Sequence, residues 1–417
     1  MRFHVILLSL FCLCVAPAAC RTPGEVPSSM PSSPFASDLA FLRSHTTPIV
    51  LGAEPGGQVV VAPEYQGRVL TSTVGGDGAP SFGWLGRDAI ASRKRQPHMN
   101  VFGGEDRFWL GPEGGQFALY FQKGDPFDLA HWQVPEGFDW GPWDVVTQSP
   151  TAVQFRKRLS LHNYSGTPFE IDVDRTVRLL DEAEIARELG IAPAASVRRV
   201  AFESANTVAN AGAAAWLPAS GLVSIWILGQ FTPSAKTTIA IPFVQGTEGA
   251  LGPVVNDAYF GKVPADRLAV APPVILFRGD GQYRSKIGVS PARALPVAGS
   301  YDAIAHVLTL VQYTRPEGAS RYVNSMWEMQ RDPYAGDVIN SYNDGPPAPG
   351  AAPLGPFYEL ETSSPALALA PGERQTHVHR TFHLTGSEAD LDAIARATLK
   401  VPLAQMTLGG ASRSPEP

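Results

Sequence analysis

Apolar and polar residues alternate along much of the chain with a period of two, which places every second side chain of an extended strand on one face. In "VQFRKRLSL", Val153, Phe155, Leu159 and Leu161 share one side, and Gln154, Arg156 and Arg158 the other. "FEIDVD" repeats the pattern with Phe169, Ile171 and Val173 inward. "VSIWILGQF", "TTIAIPFV", "VILFRGDGQYRSKIGV" and "AHVLTLVQYT" read as further strands, and Asp280-Gly281 predicts a hairpin turn because both residues tolerate positive φ. Helical patterns are few: "DEAEIARELG" near Asp181, and "SEADLDAIARATL" with Ser387 as N-cap and Asp390 three residues on. So many strands must bury their apolar faces against one another. The pattern therefore predicts an all-β protein with a few short helices, two large sheets packed as a β-sandwich of unusual size.

Composition supports this picture. The chain has 417 residues, 44% hydrophobic, with 40 Gly and 38 Pro, as many short strands joined by turns require. No Pro/Ser-rich linker, charge block or fixed-period repeat divides residues 36–408, so this span is read as one domain. A net charge of −6, with "SRKRQ" at Ser92–Gln96 as the densest basic cluster, argues against a nucleic-acid partner. There is no G-x-S-x-G elbow, P-loop or dinucleotide fingerprint, so serine-hydrolase and nucleotide chemistries have no foothold and no cofactor is expected.

"MRFHVILLSLFCLCVAPAAC" has an early Arg, an apolar stretch from Val5 to Val15 and small residues before Cys20, the pattern of a secretory signal. All three cysteines, Cys12, Cys14 and Cys20, lie in residues 1–20, so the exported body is expected to hold no disulfide. The placement resembles that of a bacterial lipoprotein, which makes Cys20 the lipidation site; plain cleavage after Ala18 is the alternative, since Pro17 departs from the usual residue three before the Cys. Residues 21–35 are a Pro/Ser-rich tether and 409–417 a flexible tail. The expected location is outside the cytoplasm, on a membrane surface facing the periplasm or the exterior.

The stretch "YELETSSPALALAPGERQTHVHRTFHL", Tyr358 to Leu384, resembles the C-terminal segment of galactose mutarotases (aldose epimerases), where a strand reading L-E-T-Q precedes an L-x-P-G-E turn and a final strand. The resemblance implies a mutarotase-like β-supersandwich and makes Glu361 the general base. In "EYQGRVLTST", Gly67-Arg68 is similar to an early strand of that family, and "FGGEDRFWLGPEGGQFALYF" to its Gly-Gly segment near the sugar cleft. The chain also resembles a group of bacterial lipoproteins carrying "GGEDRFWLGPEGG" and "DVINSYNDG". The family's acid partner is a histidine in an Asn-His strand, with a second histidine after a Gly-rich segment. Neither motif is recognisable here, and the nearest candidates are His98 and His131.

The chemistry is consistent with a carboxylate on a strand. Interconverting anomers requires a base at the anomeric hydroxyl and an acid at the ring oxygen. Glu359 and Glu361 share one face, roughly 7 Å apart at the strand rise, and a solvent-facing sheet surface would accommodate both without any function. Three loops are rich in groups suited to sugars. The first supplies Glu105, Arg107, Trp109 and Glu113, the second Trp140 and Trp143, and the third Asp337, Asn340 and Asn343, with Arg68 added by the resemblance. Each cluster reads equally as turn chemistry. Glu105 with Glu113 is also a conceivable glycosidase pair, a matter that carboxylate separation decides. His377, His379 and His383 share strand parity, and His377 with His379 is a weak candidate metal pair lacking further ligands. The reading is therefore a carbohydrate-active protein with mutarotase-like acid–base chemistry. The alternatives are a non-catalytic glycan-binding surface lipoprotein or a polysaccharide lyase or hydrolase. An imidazole opposite Glu361 favours catalysis, and an aromatic groove lacking one favours binding.

Overall fold

A computed structural model describes residues 34–408 apart from Asp77. The signal segment, the lipidation site Cys20, nearly all of the tether and the 409–417 tail lie outside the described residues.

Among the described residues each strand pairing is antiparallel, and the strands form a ten-stranded, a five-stranded and a three-stranded sheet. The five-stranded sheet has the order Ser285–Val289, Ile339–Asn343, Tyr358–Ser363, Ser224–Phe231 and Arg107–Gly111. Its inner face meets the ten-stranded sheet through Phe231, Ile287, Ile339 and Leu360 on one side and Ile239, Ile241, Phe277 and Val311 on the other. The expected all-β sandwich is the architecture observed. Alternation explains why the central strands of the ten-stranded sheet are covered on both faces: Leu308, Leu310, Phe382 and Leu384 point away from the sandwich into a second apolar layer. That layer is closed by helices Glu182–Leu189 and Glu388–Thr398.

Both helices start where the sequence places them. Asp181 accepts from the Glu184 amide at 2.8 Å while Glu184 reaches back to the Asp181 amide at 3.0 Å, a complete capping box. Ser387 accepts from the Asp390 amide. Asp181→Ala is expected to lower stability by about 1 kcal/mol, read as a fall in the urea midpoint with the slope unchanged.

The predicted hairpin at Asp280-Gly281 is corrected. Val274–Arg278 belongs to the ten-stranded sheet and Ser285–Val289 to the five-stranded one, so the turn carries the chain between sheets. Gly281 does take a positive φ of 69°, as the residue preference requires. However, both edges of Val274–Arg278 are already occupied, by Leu268–Ala271 and by Thr237–Pro242.

The space between the sheets is not wholly apolar. Arg175 and Asp106 form an ion pair at 2.7 Å with both side chains fully buried. Glu105 accepts from Ser72 Oγ at 2.8 Å and from His383 Nε2 at 2.9 Å, and His383 Nδ1 meets Thr309 Oγ1 at 2.9 Å. His377 and His379 share the hydroxyl of Thr362, each at 2.9 Å. Burial pushes these two imidazoles down to about 3 and about 4, so both are neutral at physiological pH.

Candidate functional site

The outer face of the five-stranded sheet carries the chemistry. Register aligns Lys286, Tyr342, Glu359 and Gln230 in one row across four strands. The adjacent row is Gly288, Asn340, Glu361, Leu228 and Arg107, and Trp226 opposes Trp109 beyond it. Period-two alternation turns all of these outward while Tyr358 and Leu360 face the core. Gly288 has to be glycine, because a Cβ there would lie 2.0 Å from Asp337 Oδ2.

The charges of this floor are paired and buried. Arg107 donates to Glu359 at 2.6 Å, and Gln230 adds a second donor to the same oxygen at 2.8 Å. Glu361 Oε2 accepts from Lys286 Nζ and from Trp226 Nε1, both at 3.0 Å, while its Oε1 has no partner among the described residues. The Lys286 ammonium also lies over the Trp226 ring at 4.8 Å and the Tyr259 ring at 5.5 Å, a cation–π arrangement. Tyr259 is fixed by donating to Asp337 at 2.6 Å and accepting from Asn340 at 3.0 Å. Burial pushes the Glu361 carboxyl up to about 7; Lys286 opposes the rise and Glu359 adds to it. For Lys286 burial acts downward, but the charges of Glu361, Glu113 and Glu359 outweigh it and hold the ammonium above its usual value.

Above this floor is a cavity of about 350 Å³. Its aromatic walls include Trp109, Trp132, Trp226 and Trp327, with Arg107, Glu113, Lys286 and Glu359 among its charged groups. Trp132 and Trp327 stack at 6.1 Å, and Trp109 meets Trp226 edge-on at 5.7 Å. Trp109 Nε1 is buried without a hydrogen-bond partner among the described residues. Glu113 is half-buried on the cavity wall. That burial raises its carboxyl above the usual range, more than Lys286 and the neighbouring indoles of Trp132 and Trp327 lower it. Asp344, also on the lining, is pushed by burial to about 6 against hydrogen bonds from the Gly355 amide and the Tyr342 hydroxyl.

A sequence profile described as a family of unknown function, DUF6786, matches residues 33–408. The chain belongs to this family. No curated protein matches the sequence. Among solved structures it is similar to the Slr1438 protein of Synechocystis sp. PCC 6803, at 13% identity over 82% of this chain and 96% of that one, with a TM-score of 0.49. It is also similar to a galactose mutarotase-like protein from Lactobacillus casei ATCC 334, at 12% identity, 81% and 100% coverage and a TM-score of 0.46. A galactose mutarotase related enzyme from Lactobacillus acidophilus follows at 9% identity, 82% and 97% coverage and 0.43. The likeness is one of fold.

In this DUF6786 chain the candidates read from the sequence separate into two groups. His98, Arg107, Trp109 and Glu113 line the cavity, and Asp337 and Asn340 lie beside it as the support of Tyr259. Glu361 stands beneath the lining, fully buried, and is reached through Trp226 and Lys286. The others are not brought to the cavity. Arg68 is buried, donating to the Gly103 carbonyl at 2.8 Å and to Gln66 at 3.1 Å. Glu105 is taken by Ser72 and His383 between the sheets, so it forms no pair with Glu113. Trp140 stacks on Phe102 at 6.2 Å, and Trp143 donates to the Gly137 carbonyl at 2.9 Å. Asn343 accepts the Gly281 amide at 2.8 Å and so secures a turn. His131 is exposed and bonded to Asp128 at 2.6 Å, a contact that raises its pKa. His98 is at the mouth, its Nδ1 donating to the Trp132 carbonyl at 2.8 Å. His377 and His379 are committed to Thr362, and no group of three metal-binding side chains occurs among the described residues.

Lys286, Trp132, Trp226 and Trp327 belong to the site and carried no signal in the sequence reading. Alternation within "SKIGV" puts Lys286 and Gly288 on a common face, which was the one local cue available.

Proposed function

We propose that the cleft binds a carbohydrate ring. The observation that carries this reading is the meeting of four indoles with the charged groups Arg107, Glu113, Lys286 and Glu359 around one cavity. Indole faces cover the C–H face of a sugar, and the unpartnered Trp109 N–H and the polar floor supply donors and acceptors for its hydroxyls. Glu361 is opposed by Lys286 and Trp226 rather than by an imidazole, which favours binding over histidine-assisted mutarotation. Glu361 acts here as a positioning residue that fixes Lys286.

The direct test titrates the purified chain with glucose, galactose, mannose and their disaccharides, following tryptophan fluorescence. A saturable change is expected, and Trp327→Ala, on a loop at the wall, should weaken it at least tenfold. Saturation by none of these sugars, or an unaltered titration in Trp327→Ala, would refute the reading.

Acid–base catalysis at the bound sugar is the second reading. It is favoured by Glu113, a carboxyl on the lining with Lys286 and Glu359 that burial raises above its usual range. Polarimetry on freshly dissolved α-anomers is then expected to show faster mutarotation, lost in Glu113→Gln while sugar affinity persists. An anchored, exported state is proposed from the N-terminal sequence: radiolabelled palmitate should enter the chain expressed in a bacterium and be absent from Cys20→Ala.

A further inference from the structure

The mouth of the cleft differs in character from its floor. Leu129, Leu354 and Phe260 are 54%, 50% and 39% exposed, and all three stand on this opening. Exposed large apolar side chains scattered singly are ordinary, whereas a cluster continuous with a cavity marks a surface for an apolar partner. The segment 345–356, "GPPAPGAAPLGP", has no ionisable side chain and lends Pro347, Ala352 and Leu354 to the same wall. Met99 and Val101 carry the apolar lining inward to the tryptophans. Polarity thus runs from ion pairs at the bottom to a rim where these apolar side chains stand beside His98 and Arg284, whose guanidinium lies 3.8 Å over the Phe260 ring.

Resting on the saccharide reading of this cleft, we propose that its ligand is a saccharide bearing an apolar substituent, an alkyl or aryl group linked to the sugar. The ring lies on the floor by Lys286 and Glu359, and the substituent leaves between Leu129, Phe260 and Leu354. A free sugar satisfies the floor and leaves the rim uncovered. A second copy of the chain docked on the rim would cover it without reaching the buried ion pairs. One amphipathic molecule meets both requirements, and glycolipid headgroups and simple alkyl or aryl glycosides share that chemistry.

The experiment compares methyl and n-octyl β-glycosides of glucose, galactose and mannose, below the micelle concentration, by calorimetry and tryptophan fluorescence. For the sugar that binds, the octyl glycoside is expected to bind at least tenfold tighter than the methyl one, a gain that burying about two methylenes supplies. Leu129→Ser/Leu354→Ser should abolish that difference and keep the methyl glycoside's affinity. Octyl binding no tighter than methyl overturns the proposal and leaves the saccharide reading standing. A tenfold gain that survives in the double variant is adsorption elsewhere and also overturns it. Failure of all six glycosides removes the saccharide reading and this proposal together. Sedimentation velocity guards the remaining case, because a dimer dissolved by the double variant assigns the rim to a second copy. A gain in affinity with a phosphatidylglycerol vesicle bearing an alkyl glucoside, over the vesicle alone, would identify the glycolipid source within the same chemistry.

Discussion

Asp106→Ala is expected to destabilise the protein by ~3–5 kcal/mol, the range seen when one partner of a buried ion pair is removed. The Arg175 guanidinium lies on the strand Pro168–Leu179 of the ten-stranded sheet and joins all three sheets. Its Nη2 reaches Asp106 at the entry to the five-stranded sheet, its Nε donates at 3.0 Å to the Gly67 carbonyl beside the three-stranded sheet, and its Nη1 donates to Asn206. Both charges are fully buried, so alanine would leave a cation without counter-charge or water. Asp106→Asn keeps an acceptor and the volume, and should cost less. Arg175→Met/Asp106→Leu removes both charges and should recover part of the loss, limited by the Gly67 and Asn206 acceptors that Arg175 would abandon. Urea midpoints for the four proteins measure these terms. A loss below ~1 kcal/mol in Asp106→Ala would mean that the pair is solvated rather than enclosed. Because Asp106 precedes Arg107, the same substitution should also loosen the Arg107–Glu359 pair and weaken ligand binding.

What the sequence revealed was local. The helix near Asp181, the N-cap Ser387 and the inward Val153, Phe155, Ile171 and Val173 need only their near neighbours, and all of them occur as read. That Glu359 and Glu361 share a face follows likewise from the strand period. The helix Phe35–His45 escaped notice because it begins after Pro34 without a side-chain cap. Parity failed in "GGEDRFWLG", where Glu105 and Arg107 should share a face yet one enters the space between the sheets and the other the cleft. The strand starts only at Arg107, after Gly103 and Gly104 at φ of 84° and 111°, and Asp106 bridges to Val69 instead of extending the ladder. Period-two reasoning holds inside a ladder and lapses at its entry.

The cleft was legible only in fragments for a different reason. Arg107, Trp226, Lys286 and Glu361 come from strands far apart in sequence, and antiparallel register alone brings them together. Without that register nothing distinguishes Lys286 from any surface lysine, or Trp226 from a core residue. The resemblance at Tyr358–Leu384 pointed to a strand that lies in the floor of the cleft. It could not reveal that Glu361 is enclosed by a lysine and an indole supplied by other strands.

Lys286→Met is expected to make stability depend steeply on pH. Lys286 Nζ, 3.0 Å away, is the cation bound to Glu361, whose carboxyl is wholly buried. Without it the carboxylate keeps only the Trp226 N–H, and an unpaired buried charge costs ~3–5 kcal/mol unless it takes up a proton. Burial already pushes this carboxyl from 4.5 up to about 7, and Lys286 is the largest influence holding it down. In the variant the folded value therefore climbs further. A carboxyl that binds its proton more tightly when folded gives stability that is complete below the unfolded value and is lost as pH rises through the folded one. The variant should consequently track the wild type up to about pH 7, where both folded proteins keep the Glu361 proton, and fall away from it above that. Glu361→Gln should flatten this dependence in the wild-type background. Lys286→Met/Glu361→Gln should be more stable than Lys286→Met alone at about pH 8, since it leaves no unpaired carboxylate at position 361, with a coupling of ~1–3 kcal/mol. Urea midpoints across the pH range decide the matter: an equal loss at every pH would show that methionine acts through packing against Trp226 and Tyr259, not through the Glu361 charge. At about pH 5, where the variant is expected to be folded, any remaining loss of sugar affinity belongs to Lys286 as a ligand-facing donor.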